Sequence, residues 1–395
     1  MATFRPVWVT ARRQFMQGYY AARPERRLPC FKTRVPSLLP PPPTAWRRVA
    51  LTLLLAYASA RLCVWLQTPI PWMIGPLVAT SLVSVLGART ESWVPFRNAG
   101  QWVIGAALGL YFTPAVGALV AGLWWAIALG IAWALALGLG FGAWLRHQHG
   151  AHLSSLTPVQ LRSTTYFAGA IGGASEMTLI AERHGARTDL VAAAHSLRVL
   201  MVTLTIPFAL QFWGVQGIDR LPDTLREVHA QGLLWLAGLT LVGALLMRRL
   251  GRANPWFMGA LLVTMGITLS GVVLTAIPVG LTNAAQLVIG VSLGVRFTPA
   301  FVHTAPRWMA SVALASGVMM GLCAAFAWGL ATLTGLHPAT LVLGTSPGGI
   351  AEMAITAKVL QLGVPVVTAF QVCRLVAVLV LAEPVYRIWM RRWPV

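Results

Sequence analysis

Gly344-Thr345-Ser346-Pro347-Gly348-Gly349-Ile350-Ala351-Glu352-Met353 decides the fold, because the stretch occurs twice. The earlier copy is Gly169-Ala170-Ile171-Gly172-Gly173-Ala174-Ser175-Glu176-Met177. Each copy sets a Gly-Gly break and a carboxylate inside an apolar run. Each is followed 22 residues later by an arginine inside another such run: Glu176 by Arg198, Glu352 by Arg374. Ionisable groups at membrane depth are costly, so they mark functional candidates by default.

Those runs belong to a chain of 395 residues, 57% hydrophobic and 10% charged, with mean hydropathy +0.70. A soluble domain carries about 25% charged residues. The stretches Ala115 to Leu145 and Ala253 to Val295 hold no charge at all. Each exceeds the ~20 residues that cross a bilayer as helix. The chain is therefore expected to be an all-α polytopic membrane protein, with the lipid bilayer as its first partner. The net charge of +20 would suggest nucleic acid in a soluble protein. Here the basic residues lie between apolar runs, where the positive-inside rule accounts for them, and no direct nucleic-acid binding is expected. Cys30, Cys63, Cys323 and Cys373 have no metal or redox spacing, and no cofactor is expected.

The duplication extends beyond the Glu motifs. Pro71-Trp72-Met73-Ile74-Gly75 returns as Pro255-Trp256-Phe257-Met258-Gly259. Asn98, Gln101, Val103-Ile104-Gly105, Leu108-Gly109 and Phe112-Thr113-Pro114 return as Asn283, Gln286, Val288-Ile289-Gly290, Leu293-Gly294 and Phe297-Thr298-Pro299. Repeats of this size mark many transporter folds. Apolar segments run near 49–66, 70–87, 99–112, 115–145, 163–181 and 189–213, then near 230–247, 255–272, 283–295, 308–336, 338–357 and 364–386.

Loop charge sets the orientation. In the first half the second connection (Arg89, Arg97) and the fourth (Arg146, Arg162) are basic. In the second half the first (Arg248, Arg249, Arg252) and the third (Arg296, Arg307) are basic. Equivalent loops thus face opposite sides, so the repeats are inverted and each needs an odd number of crossings. The expected fold is two inverted repeats of about five transmembrane helices, each with one re-entrant or broken helix at its Gly-Gly segment. The expected layout is a basic, Pro/Arg-rich disordered cytoplasmic arm over 1–45, a first membrane repeat over 46–214, a linker over 215–229 and a second membrane repeat over 230–391. The site expected for the protein is a bacterial inner membrane, with both termini cytoplasmic; a homo-oligomer is compatible with the sequence.

Non-helical backbone at membrane depth survives only where protein or a wet cavity satisfies its amides, and broken helices aim their dipoles at such places. Glu176 and Glu352 are candidates to bind a proton or cation, and Arg198 and Arg374 to hold an anionic group. Ser175, Thr345 and Ser346 would add neutral ligands around Gly172, Gly173, Gly348 and Gly349. The competing reading pairs each Glu with its Arg as scaffold, with no ligand. His195 and Gln371 stand three residues before the arginines and either face the cavity or bond across helices. Gln101 and Gln286 open glycine-rich segments and are ambiguous in the same way. Gly105 and Gly109, like Gly290 and Gly294, have the small-xxx-small spacing of close helix packing. His147, His149 and His152 form an H-x-H-x-x-H cluster, read as a solvated loop in preference to a metal site. Arg61 is read as snorkelling to the interface, and Glu383 with Arg387 as a structural i,i+4 pair.

The duplicated P-W-x-x-G, Q-x-x-x-G-x-x-L-G-x-x-F-T-P and S-P-G-G-x-x-E-M blocks resemble the AbrB family of bacterial membrane proteins, which carry a tandem duplication. The resemblance covers about residues 46–391; the first Glu motif departs from it by lacking the Ser-Pro before its glycines. It implies two labels that family members have carried, ammonia monooxygenase and regulator of gene expression. A soluble DNA-binding regulator of the same name is a different kind of protein. From the residues themselves the expectation is a secondary transporter or permease for a small solute or ion, not an enzyme. The alternative is a membrane-bound regulator. Monooxygenase chemistry needs a metal or flavin, for which the chain offers no convincing ligand set.

Overall fold

The computed structural model describes residues 43–150, 156–217, 227–252, 254–272, 274–299 and 306–392. The basic arm up to residue 42, His152 and most of the 215–229 linker lie outside the described residues. Every regular element among the described residues is a helix. The first half comprises α1 (Pro43–Trp65), α2 (Pro71–Val85), α3 (Val94–Gly109), α4 (Pro114–Gly122), α5 (Trp124–His149), α6 (Pro158–Gly169), α7 (Ala174–Arg183) and α8 (Thr188–Phe212). The second comprises α9 (Ala230–Arg249), α10 (Pro255–Leu269), α11 (Val279–Gly294), α12 (Pro306–Thr334), α13 (Pro338–Thr345), α14 (Ile350–Val359) and α15 (Val364–Arg392).

Six helices, α1, α5, α8, α9, α12 and α15, are long and apolar enough to cross a bilayer. Their outward faces are apolar, as lipid requires: Leu51, Leu54 and Leu62 on α1, and Leu234, Leu239 and Val242 on α9, are exposed. Four shorter apolar helices of 15 or 16 residues, α2, α3, α10 and α11, stand where the remaining crossings are expected; α3 with α4 makes up a bent pair that passes the same test together. At 1.5 Å per residue each is only about 24 Å long. One expected segment divides. The run 115–145 is not a single span: α4 lies at 91° to α3, and one residue, Leu123, separates it from α5. The recurring Phe-Thr-Pro block explains the corner, since Thr113 caps α4 by accepting from the Val116 amide and Pro114 starts the helix.

The helices sort into two bundles. In the first, α1 packs on α2 and α9 on α10, while α3 packs on α10, α2 on α11 and α3 on α11. In the second, α5 packs on α6 and α12 on α13, while α5 packs on α15, α8 on α12, α6 on α8 and α13 on α15. Each pairing has its counterpart when the halves are exchanged, as a two-fold relation between them requires.

The duplicated glycines hold the first bundle together. A methyl on Gly105 would strike the Phe257 carbonyl, and one on Gly290 the Met73 carbonyl. Gly109 and Gly294 stand equally close to the Leu261 and Leu77 carbonyls, 3.0 and 2.9 Å from where a Cβ would sit. The small-xxx-small spacing is thus a packing device, twice over. The motif glycines Gly75 and Gly259 do the same against Ser59 and Ala244. Ile70 and Asn254, at equivalent places before Pro71 and Pro255, both adopt the left-handed conformation, with φ of 47° and 50°.

Candidate functional site

Each half of the second bundle contains one interrupted element. The helix is interrupted over 170–173 between α6 and α7 and over 346–349 between α13 and α14, with extended backbone at Ala170, Gly173, Ser346 and Gly349. None of the break glycines has positive φ. Their reason is space. A Cβ on Gly173 would collide with the Glu176 carboxylate, and one on Gly349 with that of Glu352. Gly172 and Gly348 meet the side chains of Met177 and Met353, both fully buried.

The two carboxylates therefore fold back over the first turns of α7 and α14, where helix amides lack partners and negative charge is favoured. The arginines serve the opposite ends. Arg198 donates from Nη2 to the Ala170 carbonyl at 2.9 Å and from Nη1 towards Gly169 at 3.4 Å. Arg374 donates from Nη1 to the Ser346 carbonyl and from Nη2 to that of Gly348 at 2.9 Å. Among the described residues, neither arginine forms an ion pair with its glutamate; in place of the pair that the competing reading called for there is a division of labour. The cation closes the C-terminal end of one half-helix and the carboxylate closes the N-terminal end of the next.

His195 and Gln371 complete the clamps. His195 Nδ1 is 2.7 Å from Arg198, with its Nε2 2.9 Å from the Phe167 carbonyl. Gln371 accepts from Arg374 at 2.6 Å and donates to the Leu343 carbonyl at 2.7 Å. Phe167 and Leu343 are equivalent positions, as are Ala170 and Ser346, so the same bonds recur in both halves. Thr345 and Ser346 donate their hydroxyls to the Leu341 and Leu343 carbonyls. Ser175 is the second residue of α7, and its side chain lies outside the described residues.

The breaks converge. Arg198 and Arg374 are within electrostatic reach of one another and of the buried Cys323. Gly348 abuts Val202 on α8 of the other half. On the other flank, Arg296 is within electrostatic reach of Glu176, Glu352 and Arg97 together, and Arg97 of Glu176. Arg97 and Arg296, read from the sequence as loop charges, are partly buried beside the carboxylates. Their signal lay in the repeat itself: the position equivalent to Arg97 is Thr282, and that equivalent to Arg296 is Tyr111.

The remaining candidates lie elsewhere. Gln286 is buried on α11 and Gln101 partly buried on α3, near the point where Gly100 meets the Ala285 carbonyl. His149 closes α5 rather than joining a loop; it is buried, bonds Ser311 at 2.9 Å and packs edge-on to Trp308. His147 is exposed on the same last turn, and Arg61 is exposed on α1. Arg387 donates to Glu383 at 2.5 Å, the expected i,i+4 pair.

Residues 72–390 match the family described as transition state regulatory protein AbrB. The chain is 27% identical over 348 residues to the uncharacterized protein YhjN of Bacillus subtilis, spanning 81% of this chain and 87% of that protein. It is 25% identical over 329 residues to a protein of Escherichia coli named "Putative regulator AbrB", spanning 81% and 90%.

Proposed function

The chain belongs to the AbrB family, and on that premise we propose that it is a secondary transporter for a small solute in a bacterial cytoplasmic membrane. The observation that carries this reading is the convergence of two interrupted, equivalently clamped helices on one set of charges. Extended backbone at membrane depth is tolerated where it lines a protein cavity, and paired breaks of this kind build solute sites in inverted-repeat transporters. In this reading the second bundle carries the breaks and the first supports it. The seam between them opens to one side and then the other, and the solute itself is not chemically changed. Both termini are cytoplasmic; Arg47 and Arg48 at the start of α1, Arg248 and Arg249 at the end of α9, and Arg307 at the start of α12 support that orientation.

The test is uptake by the full chain in proteoliposomes, with a panel of labelled small solutes. At least one solute is expected to accumulate, and Glu352→Gln to abolish its uptake while the protein remains folded. Silence across the panel from well-folded protein would remove the reading. A regulatory role is the second reading, and it rests on the family description and the name of the E. coli relative. Deleting residues 1–40 without change in any transcript would count against it.

A further inference from the structure

We propose that His195 is a proton site: a proton taken up on its Nδ1 releases Arg198 from the first break, so that opening of that break is tied to acid. The inference rests on the transport reading and names the coupling ion.

The two clamps are built alike and differ in one side chain. In each, Nη2 of the arginine divides its hydrogens between a carbonyl of the break and the residue three places earlier on the same helix. Arg374 gives to the Gly348 carbonyl at 2.9 Å and to Gln371 Oε1 at 2.6 Å. Arg198 gives to the Ala170 carbonyl at 2.9 Å and to His195 Nδ1 at 2.7 Å. The other end of that residue then donates to a carbonyl of the preceding half-helix, Gln371 to Leu343 at 2.7 Å and His195 Nε2 to Phe167 at 2.9 Å. A guanidinium has no acceptor and a carbonyl no donor. The imidazole is thereby fixed as the neutral tautomer, with its hydrogen on Nε2 and its lone pair on Nδ1. Gln371 does the same work with an amide that cannot titrate. Histidine does it with an acceptor that one proton abolishes.

A proton on Nδ1 would set N–H against N–H at a 2.7 Å contact, and imidazolium against guanidinium. Water cannot screen them, since His195 has no exposed surface and Arg198 only 1%. Contact and proton therefore exclude each other. Arg198 must leave for the proton to stay, and its bond to Ala170 leaves with it, because one nitrogen makes both. Linkage runs the other way as well: a state in which Arg198 has left the break frees Nδ1 to take a proton from the water admitted there. One N–H bond forms, one hydrogen bond is lost, and closure returns the proton.

The one charge acting on the ring is Arg198. Helices α6, α7, α12 and α14 pack against α8. On them, Glu176 and Glu352 are folded back over their own first turns, and the Tyr166 hydroxyl is given to the Ala382 carbonyl. Arg162, Glu182, Arg183, Arg307 and Lys358 stand in the end turns of their helices, and Cys323 is within reach of Arg198. His184 stacks on the Phe167 ring, not on its carbonyl.

The test is hydrogen–deuterium exchange of the purified full chain in detergent, read by mass spectrometry over both breaks. It is run at about pH 7.5 and about pH 5.5, either side of the ordinary histidine range, with the intrinsic pH dependence of amide exchange divided out. Acid is expected to speed exchange over 170–173 several-fold and to leave 346–349 unchanged. His195→Gln, which copies the second clamp, should remove the acid effect, and Gln371→His should confer one on the second break. No acid effect at the first break, an equal effect at both, or one that survives in His195→Gln overturns the proposal. Should His195→Gln not fold, Gln371→His decides: a second break still indifferent to acid shows that histidine does not release the arginine in this setting. In proteoliposomes an acid exterior should raise accumulation of a transported solute several-fold, and His195→Gln should bring that ratio to one; an unchanged ratio overturns the coupling. The two readings fail separately. An acid-opened first break in protein that transports nothing keeps the proton site and removes transport; solute uptake indifferent to pH, with both breaks unmoved by acid, does the reverse.

Discussion

At the residue scale, the densest meaning falls on Gly349 and Glu352. The glycine leaves room for the carboxylate, and the carboxylate lies over the first turn of α14, whose amides have no partner within the helix. Gly349→Ala should therefore cost about 1–3 kcal/mol, as overpacked positions do. In a Glu352→Ala background the same substitution should cost less than half as much, because the colliding group has gone. A double-mutant cycle on the unfolding midpoint measures that coupling, and additive effects would show that the carboxylate does not sit over the glycine. Arg374 separates scaffold from ligand contact. Its two carbonyl acceptors, Ser346 and Gly348, both lie within the break, and lysine cannot fork to both. Arg374→Lys should cost ~2 kcal/mol through an unsatisfied buried carbonyl. Unchanged stability with lost uptake would instead mean that the guanidinium serves the solute. Glu176, Glu352, Arg198 and Arg374 were legible in the sequence because duplication singled them out. Arg97 and Arg296 were legible only as departures from the duplication, a mark that is lost when they are counted with the basic loops beside them.

At the element scale, helix ends were less legible than helices. The uncharged run 115–145 carries no mark of the break at Leu123 that divides α4 from α5, because hydropathy reports solvent and not where a helix ends. The Gly-Gly breaks were legible as breaks, but their reason was not: the backbone there is ordinary, and the glycines answer to side chains placed by the fold. Glycine does supply left-handed backbone elsewhere, as where Gly87 closes α2 with the Ala88 amide bonded to the Val83 carbonyl at 3.1 Å. The end of α1 has the same geometry with Gln67 in that place, at φ 53°, and Thr68 bonded back to Cys63 at 3.0 Å. The Gln67 side chain is exposed, so removing it loses little packing. Gln67→Gly should raise stability by about 0.5–1 kcal/mol, the left-handed penalty less the entropy of glycine. A lowered unfolding midpoint in detergent would show that the side chain contributes something the backbone geometry does not reveal.

At the scale of the whole molecule, the two-fold relation was legible from motif order, whereas the division into bundles was not. That division depends on which helices meet across the duplication, α3 with α10 and α5 with α15, and long-range pairings of this kind leave no local pattern. It also carries the strongest mechanical prediction. If the bundles move against each other, a tether across the seam must stop uptake and a tether within a bundle must not. Leu77 and Val199 line one crevice from opposite bundles. Tyr57 and Trp72 lie within the first bundle on α1 and α2, with ring centroids 5.9 Å apart. In a chain whose native cysteines are replaced by serine, Leu77→Cys with Val199→Cys, bridged by a short bis-methanethiosulfonate, should lose most of its uptake and regain it on reduction. Tyr57→Cys with Trp72→Cys should transport equally well bridged or reduced. Full uptake with the seam tethered would mean that the bundles stay fixed, and the solute would then have to pass by smaller movements at the breaks, where the Arg198 and Arg374 clamps would be the parts that open.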